Sequence, residues 1–375
     1  MKRTGRSGGA GRPWQGWAVA LWIAAAIPAS VEGAEPFHAF ERGGEPGVSP
    51  RFQAWHPEFE DSGSYGESWF FMLRTDDGGV LFTMLSITNL GLRTFDGTYE
   101  IDYYAPDGGH INVHREFTRE EVKASTEKMD VTIAGARAWR SDRAYHVAIH
   151  DADAELNLEL VNGLPPYKFG NGSIEFYQDR REAWTIGMHV PCGRSSGYLE
   201  AGGKRYRLDG YGYHDHAWSN IKVPSFVSRW YTLRVLDQDL AIVLHQQVLT
   251  DTFGNAVVKF GLVGVDGRIV ARSRNFKLEP VAWRKVASGF KIPTEYRVTI
   301  RANGYQVEGT VREARFLDAI DVLGQVSWPI RMAIKAFYTN PYFHRYTGRY
   351  DLVVTLKGGK TRHVTGEALL EANYF

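Results

Sequence analysis

The chain has 375 residues, a formal net charge of +1 and a hydrophobic share of 43%, ample for one large β domain or two smaller ones with sizeable cores. So balanced a charge removes any bulk electrostatic case for nucleic acid as a partner. With Cys192 as the single cysteine, an internal disulfide is excluded, and an exported chain must hold itself together by burial.

The first predicted element is an export signal. Lys2, Arg3, Arg6 and Arg12 form a basic region, Trp17 to Ile27 is nearly all apolar, and Val31-Glu32-Gly33 ahead of Ala34 supplies residues for cleavage. The apolar run is shorter than a membrane span needs. Cleavage would leave a periplasmic protein, with an uncleaved N-terminal anchor as the alternative. Loss of residues 1–33 removes four basic residues and Glu32, taking the net charge from +1 to −2.

Short segments rich in β-branched and aromatic residues then recur between turn signals. These include Asp76-Asp77-Gly78-Gly79, Asp96-Gly97, Asp107-Gly108-Gly109, Asp266-Gly267, Asn303-Gly304 and Gly358-Gly359. Such spacing predicts antiparallel hairpins, and no strand–helix alternation argues for a parallel sheet. The fold class is therefore all-β, two antiparallel barrels or sandwiches, 34–220 and 221–375, with a boundary near Asn220–Ser228. Ser68–Leu73 and its hairpin partner Val80–Leu85 are apolar on both faces, as is Leu240–Leu244. Either the second face lines a ligand cavity, or the barrel is filled and another layer covers it.

The densest chemistry lies in Tyr211-Gly212-Tyr213-His214-Asp215-His216-Ala217-Trp218-Ser219. Strand periodicity puts Tyr211, Tyr213 and Asp215 on one face and His214, His216 and Trp218 on the other. Three chemical readings stand side by side. His214 and His216 could ligate a metal, with His189 or His245 as a third ligand. Asp215 or a histidine could donate and accept a proton in an apolar pocket, with Trp218 beside the developing cation. Or the polar groups satisfy one another in a buried network.

Farther along, Phe316, Ile320, Leu323, Ile330, Ile334 and Phe337 recur at helical steps before Asn340-Pro341. They predict an amphipathic helix over about 317–338, split near Pro329, as a brace on the barrel or a point of peripheral membrane contact. Phe343–Thr355 returns to strand alternation.

The segment Gly212-Tyr213-His214-Asp215-His216-Ala217-Trp218 resembles the Gly-Tyr-His-Asp-His-Asn-Trp signature of carotenoid 1,2-hydratase (hydroxyneurosporene synthase). That lipocalin-like family of two β domains also includes AttH-like proteins and fungal pericyclases. Trp69-Phe70-Phe71-Met72-Leu73-Arg74-Thr75-Asp76-Asp77-Gly78, and Ile320-Asp321-Val322-Leu323 through Asn340-Pro341-Tyr342, look like the survival factor 1 branch of the same clan. The hydratase resemblance implies protonation of an isolated double bond without metal or organic cofactor, with catalytic roles on His216 and Trp218. The survival factor branch implies handling of lipids such as ceramide. The chain departs from the hydratase pattern at Ala217 and Ser219, and Leu244-His245-Gln246-Gln247 stands where a Tyr-x-Asp acid would be sought.

The resulting expectation is an exported, monomeric carrier for a long apolar or amphipathic lipid, isoprenoid or ceramide-like, held at the seam of two lipocalin-like domains. Candidate ligand-binding residues are Tyr211, Tyr213, His214, His245, Trp230, Trp69 and Phe71. The alternative is a cofactor-independent hydratase or cyclase using Asp215, His216 and Trp218. Neither metal nor cofactor is expected. A structural module of the envelope is the third class.

Overall fold

The structure, a computed structural model, describes residues 36–41, 47–90, 93–321 and 341–375. The expected export signal lies outside them.

Two antiparallel sheets account for nearly all of the described chain. The first has 14 strands and curls into a nearly closed barrel. Its main path runs from His110–Phe117 through Arg93–Tyr104, Val80–Leu90 and Gly66–Thr75 to Gly210–Ser219. It continues through Glu182–Ala201 and Ala154–Asn162 to the short strands that end at Val122–Ala124. The second sheet has nine strands, with Val227–Leu236, Thr361–Tyr374 and Tyr342–Thr355 at its centre. A single turn of helix, Val223–Phe226, joins the two.

The strands that are apolar on both faces sit where the sheets meet. Along Gly66–Thr75, Trp69, Phe71 and Leu73 enter the core inside the first sheet, while Met72 enters a separate core on its outer side. That outer core also holds Val243, Phe260, Leu262 and Leu369 of the second sheet, whose own interior is lined by Leu233, Ile242, Leu244 and Tyr346. The first barrel is therefore filled, and its second apolar face packs against the other sheet. Burying each such side chain stabilises the fold by roughly 1.5–3 kcal/mol.

Two sequence expectations change. Asp96-Gly97 is no turn: it lies within Arg93–Tyr104. A Cβ on Gly97 would come within 2.6 Å of Val122 and 2.7 Å of Ile133, so the glycine marks a close approach across the barrel rather than a reversal. The predicted helix also begins wrongly, because residues up to Asp321 extend the strand Tyr305–Asp321. A four-residue step keeps two residues on one side in a helix or a regular strand alike, but here Phe316 packs against the interior of the second sheet and Ile320 lines the space between the sheets. Register shifts at Glu313/Arg315 and Phe316/Asp318 further blur the strand alternation there. Residues 322–338 of that helix lie outside the described chain.

Candidate functional site

Gly210–Ser219 runs between Gly66–Thr75 and Glu182–Ala201, both antiparallel to it. The register sets Trp69 beside His216, Phe71 beside His214, Phe70 beside Asp215 and Ser68 beside Ala217. Neighbours across an antiparallel pair point the same way. His214 and His216 thus share the barrel side with Trp69 and Phe71, while Tyr213, Asp215 and Ala217 look toward the second sheet; Trp218, near the end of the strand, stacks on His56 and also borders the space between the sheets.

On the barrel side a compact histidine cluster forms. The His216 ring lies flat against Trp69 at 4.7 Å, His214 against Phe71 at 3.9 Å, and Trp218 against His56 at 3.8 Å between ring centres. Glu67, fully buried one pair along, faces His216 Nε2 at 2.7 Å and His56 Nδ1 at 3.1 Å through the same oxygen. Its other oxygen accepts the His56 backbone N–H at 3.0 Å and the Tyr65 hydroxyl. Burial alone would raise the carboxyl, but the bonds from His216 and His56 outweigh it and hold Glu67 down at about 2.

His216 Nδ1 faces the Phe52 carbonyl at 3.1 Å, so that nitrogen carries a proton. Its Nε2 lone pair would then meet a carboxylate oxygen, two acceptors face to face. A proton shared between the two satisfies both; burial lowers the His216 pKa, against the raising pull of its bond to Glu67. His214 Nδ1 donates to the Phe70 carbonyl at 2.9 Å, and burial pulls its pKa down to about 3, so this imidazole is neutral.

On the other side a cleft of about 250 Å³ separates the two sheets. Its lining is graded. At one end Trp184, Ile186, Trp218, Val223, Trp230, Phe343 and Phe375 make an aromatic and aliphatic wall, with Trp230 4.7 Å from Phe375 and 6.1 Å from Phe343 between ring centres. One pair along the same strands, Arg345, Glu371, Thr232 and His245 form a row. Arg234 Nη1 donates to Glu371 at 2.8 Å and to Thr232 at 2.9 Å, and its guanidinium lies over the Tyr213 ring. Arg345 crosses the seam to Asp102 at 2.5 Å, with Glu100 at 3.9 Å.

Asp215 looks into this cleft beside Arg234 and Tyr213. Burial raises its carboxyl to about 6, against the lowering pull of Arg234 and the Tyr213 hydrogen bond. Glu100 is raised as well, by burial. His245 is neutral, pulled down to about 3 by burial and by the Arg234 charge. Among the described lining residues, carboxylates outnumber guanidiniums, so the charged end is on balance acidic.

Of the residues expected from sequence, Asp215, Trp218, Trp230 and His245 line the cleft. His214, His216, Trp69 and Phe71 lie inside the barrel instead, and Tyr213 is buried beneath Arg234. Tyr211 lines a second hollow with Gln238. His189 comes to the motif, its ring 4.9 Å from His214 and 5.6 Å from His216. Sequence reading missed His56, Glu67, Glu100, Asp102, Arg234, Arg345 and Glu371. The signal was present: Arg234 in Leu233-Arg234-Val235-Leu236 and Glu371 in Leu369-Leu370-Glu371-Ala372 are lone charges in apolar strands, which a buried strand keeps only with a partner.

Fold and site together define a lipocalin-like protein of two antiparallel β layers with a ligand-sized cleft at their seam. Residues 69–375 match the Svf1 family, and the chain belongs to that family. No curated protein matches it. Among solved structures, an AttH protein of Nitrosomonas europaea shares 15% identity at a TM-score of 0.63, covering 88% of this chain and 99% of its own. CghA bound to Sch210972 shares 12% identity at 0.58, covering 83% and 88%. Kievitone hydratase of Nectria haematococca shares 12% at 0.54, covering 91% and 98%. At such identities the likeness is one of fold.

Proposed function

We propose that the protein binds a long amphipathic molecule in the seam cleft, as an exported carrier. The supporting observation is the gradient of the lining, from the Trp184–Trp230–Phe343–Phe375 end to the Asp215–Arg234–Glu371–Arg345 end within a few ångströms. An apolar wall with few convergent polar groups suits an aliphatic or isoprenoid tail carrying one polar terminus. Because the charged end is acidic on balance, it suits a headgroup that donates hydrogen bonds, a hydroxyl or an amine, better than a phosphate or carboxylate. Ceramide-like and hydroxylated isoprenoid lipids fit that chemistry.

Mass spectrometry of an organic extract of the purified protein is expected to reveal a co-purifying amphiphile. Ala217→Trp, which fills the cleft from the motif strand, is expected to weaken binding of that amphiphile at least tenfold while the protein stays folded. Unchanged binding in this variant sinks the cleft as the site.

One observation favours an enzyme reading: Asp215, a buried carboxyl, faces the cleft beside Trp218. There it would protonate an isoprenoid double bond, with the indole face stabilising the carbocation until water attacks and a proton returns to the carboxylate. That reading predicts turnover of an acyclic polyene, lost in Asp215→Asn with binding retained. No turnover in the parent protein leaves the carrier.

A further inference from the structure

The histidine cluster inside the first barrel borders the cleft only through Glu67 and Trp218, and its imidazoles have no part in the proposed function. His56, Glu67 and His216 each present one ligating atom, all within 4.8 Å of one another. A tetrahedral ion with bonds of about 2.0–2.1 Å sets its donor atoms roughly 3.3 Å apart and the centres of two bound imidazoles roughly 5 Å apart. Here His216 Nε2 and His56 Nδ1 lie 2.7 and 3.1 Å from Glu67 Oε1. The His216 ring centre is 5.6 Å from that of His56 and 5.6 Å from that of His189.

His189 is the independent observation. Between Met188 and Val190 the strand Glu182–Ala201 slips register against the motif strand, leaving His189 without a pair. A bulge of this kind re-aims a side chain. The imidazole is 0% exposed, and neither ring nitrogen has a hydrogen-bond partner among the described residues. Leaving such a group unsatisfied destabilises a fold, so its burial beside His216 needs a reason. His216 supplies a second sign: its Nδ1 faces the Phe52 carbonyl, the outer bond that orients metal-ligating histidines, and its Nε2 faces Glu67.

The geometry points to a structural site for a borderline divalent metal ion such as zinc, held by His56 Nδ1, Glu67 Oε1 and His216 Nε2, and completed by one nitrogen of His189 once that ring, which lies outside the three-donor set as it stands, turns toward the ion. Three imidazoles and one carboxylate, all buried, form a closed set with no position for substrate. The site ties the segment around His56 to Gly66–Thr75, Gly210–Ser219 and Glu182–Ala201, an outcome the sequence alone did not lead us to expect.

Chelator-treated protein is titrated with Zn²⁺, and with Co²⁺ as an optical probe. Expected are one equivalent bound, the intense visible bands of tetrahedral Co²⁺, and a Tm raised by Zn²⁺. His189→Leu is expected to weaken Zn²⁺ binding at least tenfold. Because the leucine removes two unpartnered nitrogens, the metal-free variant should keep the fold with an equal or higher Tm. His216→Ala should abolish tetrahedral Co²⁺ binding; should that variant fail to fold, His189→Leu alone decides the matter. No stoichiometric binding in the parent protein, an octahedral Co²⁺ spectrum, or unchanged affinity in His189→Leu overturns the site.

Discussion

Asp318 shows how a single buried carboxyl makes this fold depend on pH. The Tyr104 hydroxyl donates to it and to Asp102, the latter at 2.9 Å. Arg345 and His110, the nearest cations, are both bonded to Asp102. Burial raises Asp318 from 3.8 to about 6, against the lowering pull of Arg345, with the Asp102 charge adding to the rise. Between those two values the folded chain holds more protons than the unfolded one, so this carboxyl's contribution to stability falls as pH rises through that window and is fully lost above it. Asp318→Asn keeps the shape without the charge. Urea unfolding at pH 4 and pH 7 should show the variant gaining about 1–3 kcal/mol relative to the parent at the higher pH. Equal effects at both values contradict this assignment.

At the scale of strands, Arg234 and Glu371 join Val227–Leu236 to Thr361–Tyr374 through a buried ion pair. Removing one partner strands the other in a dry site, which typically destabilises by about 3–5 kcal/mol, whereas replacing both by apolar residues is nearly neutral. Glu371→Leu alone should lower the urea midpoint sharply, and adding Arg234→Met should restore most of it. A double variant as unstable as the sum of the singles would show that the two do not act as a pair. The same reasoning explains why Thr232, whose hydroxyl donates to Glu371 at 2.9 Å, sits between them on the cleft face.

For the molecule as a whole, the seam is the element that matters. Arg345 on Tyr342–Thr355 reaches Asp102 on Arg93–Tyr104, one direct ionic link between the sheets, and the outer core supplies the apolar remainder. Cys192 belongs to that core, 4% exposed, and burial pushes its thiol up to about 12. It is therefore a built-in reporter of seam opening. A small thiol reagent should label the native protein at least tenfold more slowly than the urea-unfolded chain. Arg345→Ala, which removes the guanidinium that ties Asp102 to the second sheet, should speed native labelling before any loss of far-UV signal. Labelling that tracks global unfolding alone would mean the sheets do not separate independently.

Strand alternation, turn chemistry and the rare residues of Tyr211–Ser219 were legible because each is local: period two, glycine at a reversal, and histidines two apart on one face need no partner to be recognised. From them follow the all-β class, the split of the motif between two faces, and the resemblance to the family. Three things depend on residues far apart in the chain. Glu67 reaches His216 across 149 positions, Arg345 reaches Asp102 across 243, and His189 enters the cluster only through a bulge in its strand. No periodicity announces such meetings, since register and the packing of one sheet on another decide them. The sequence by itself determined which residues alternate and where the chain turns. Only the tertiary structure decided that the motif's histidines face the filled barrel while its aspartate faces the cleft, because the second sheet covers one side of that strand and not the other.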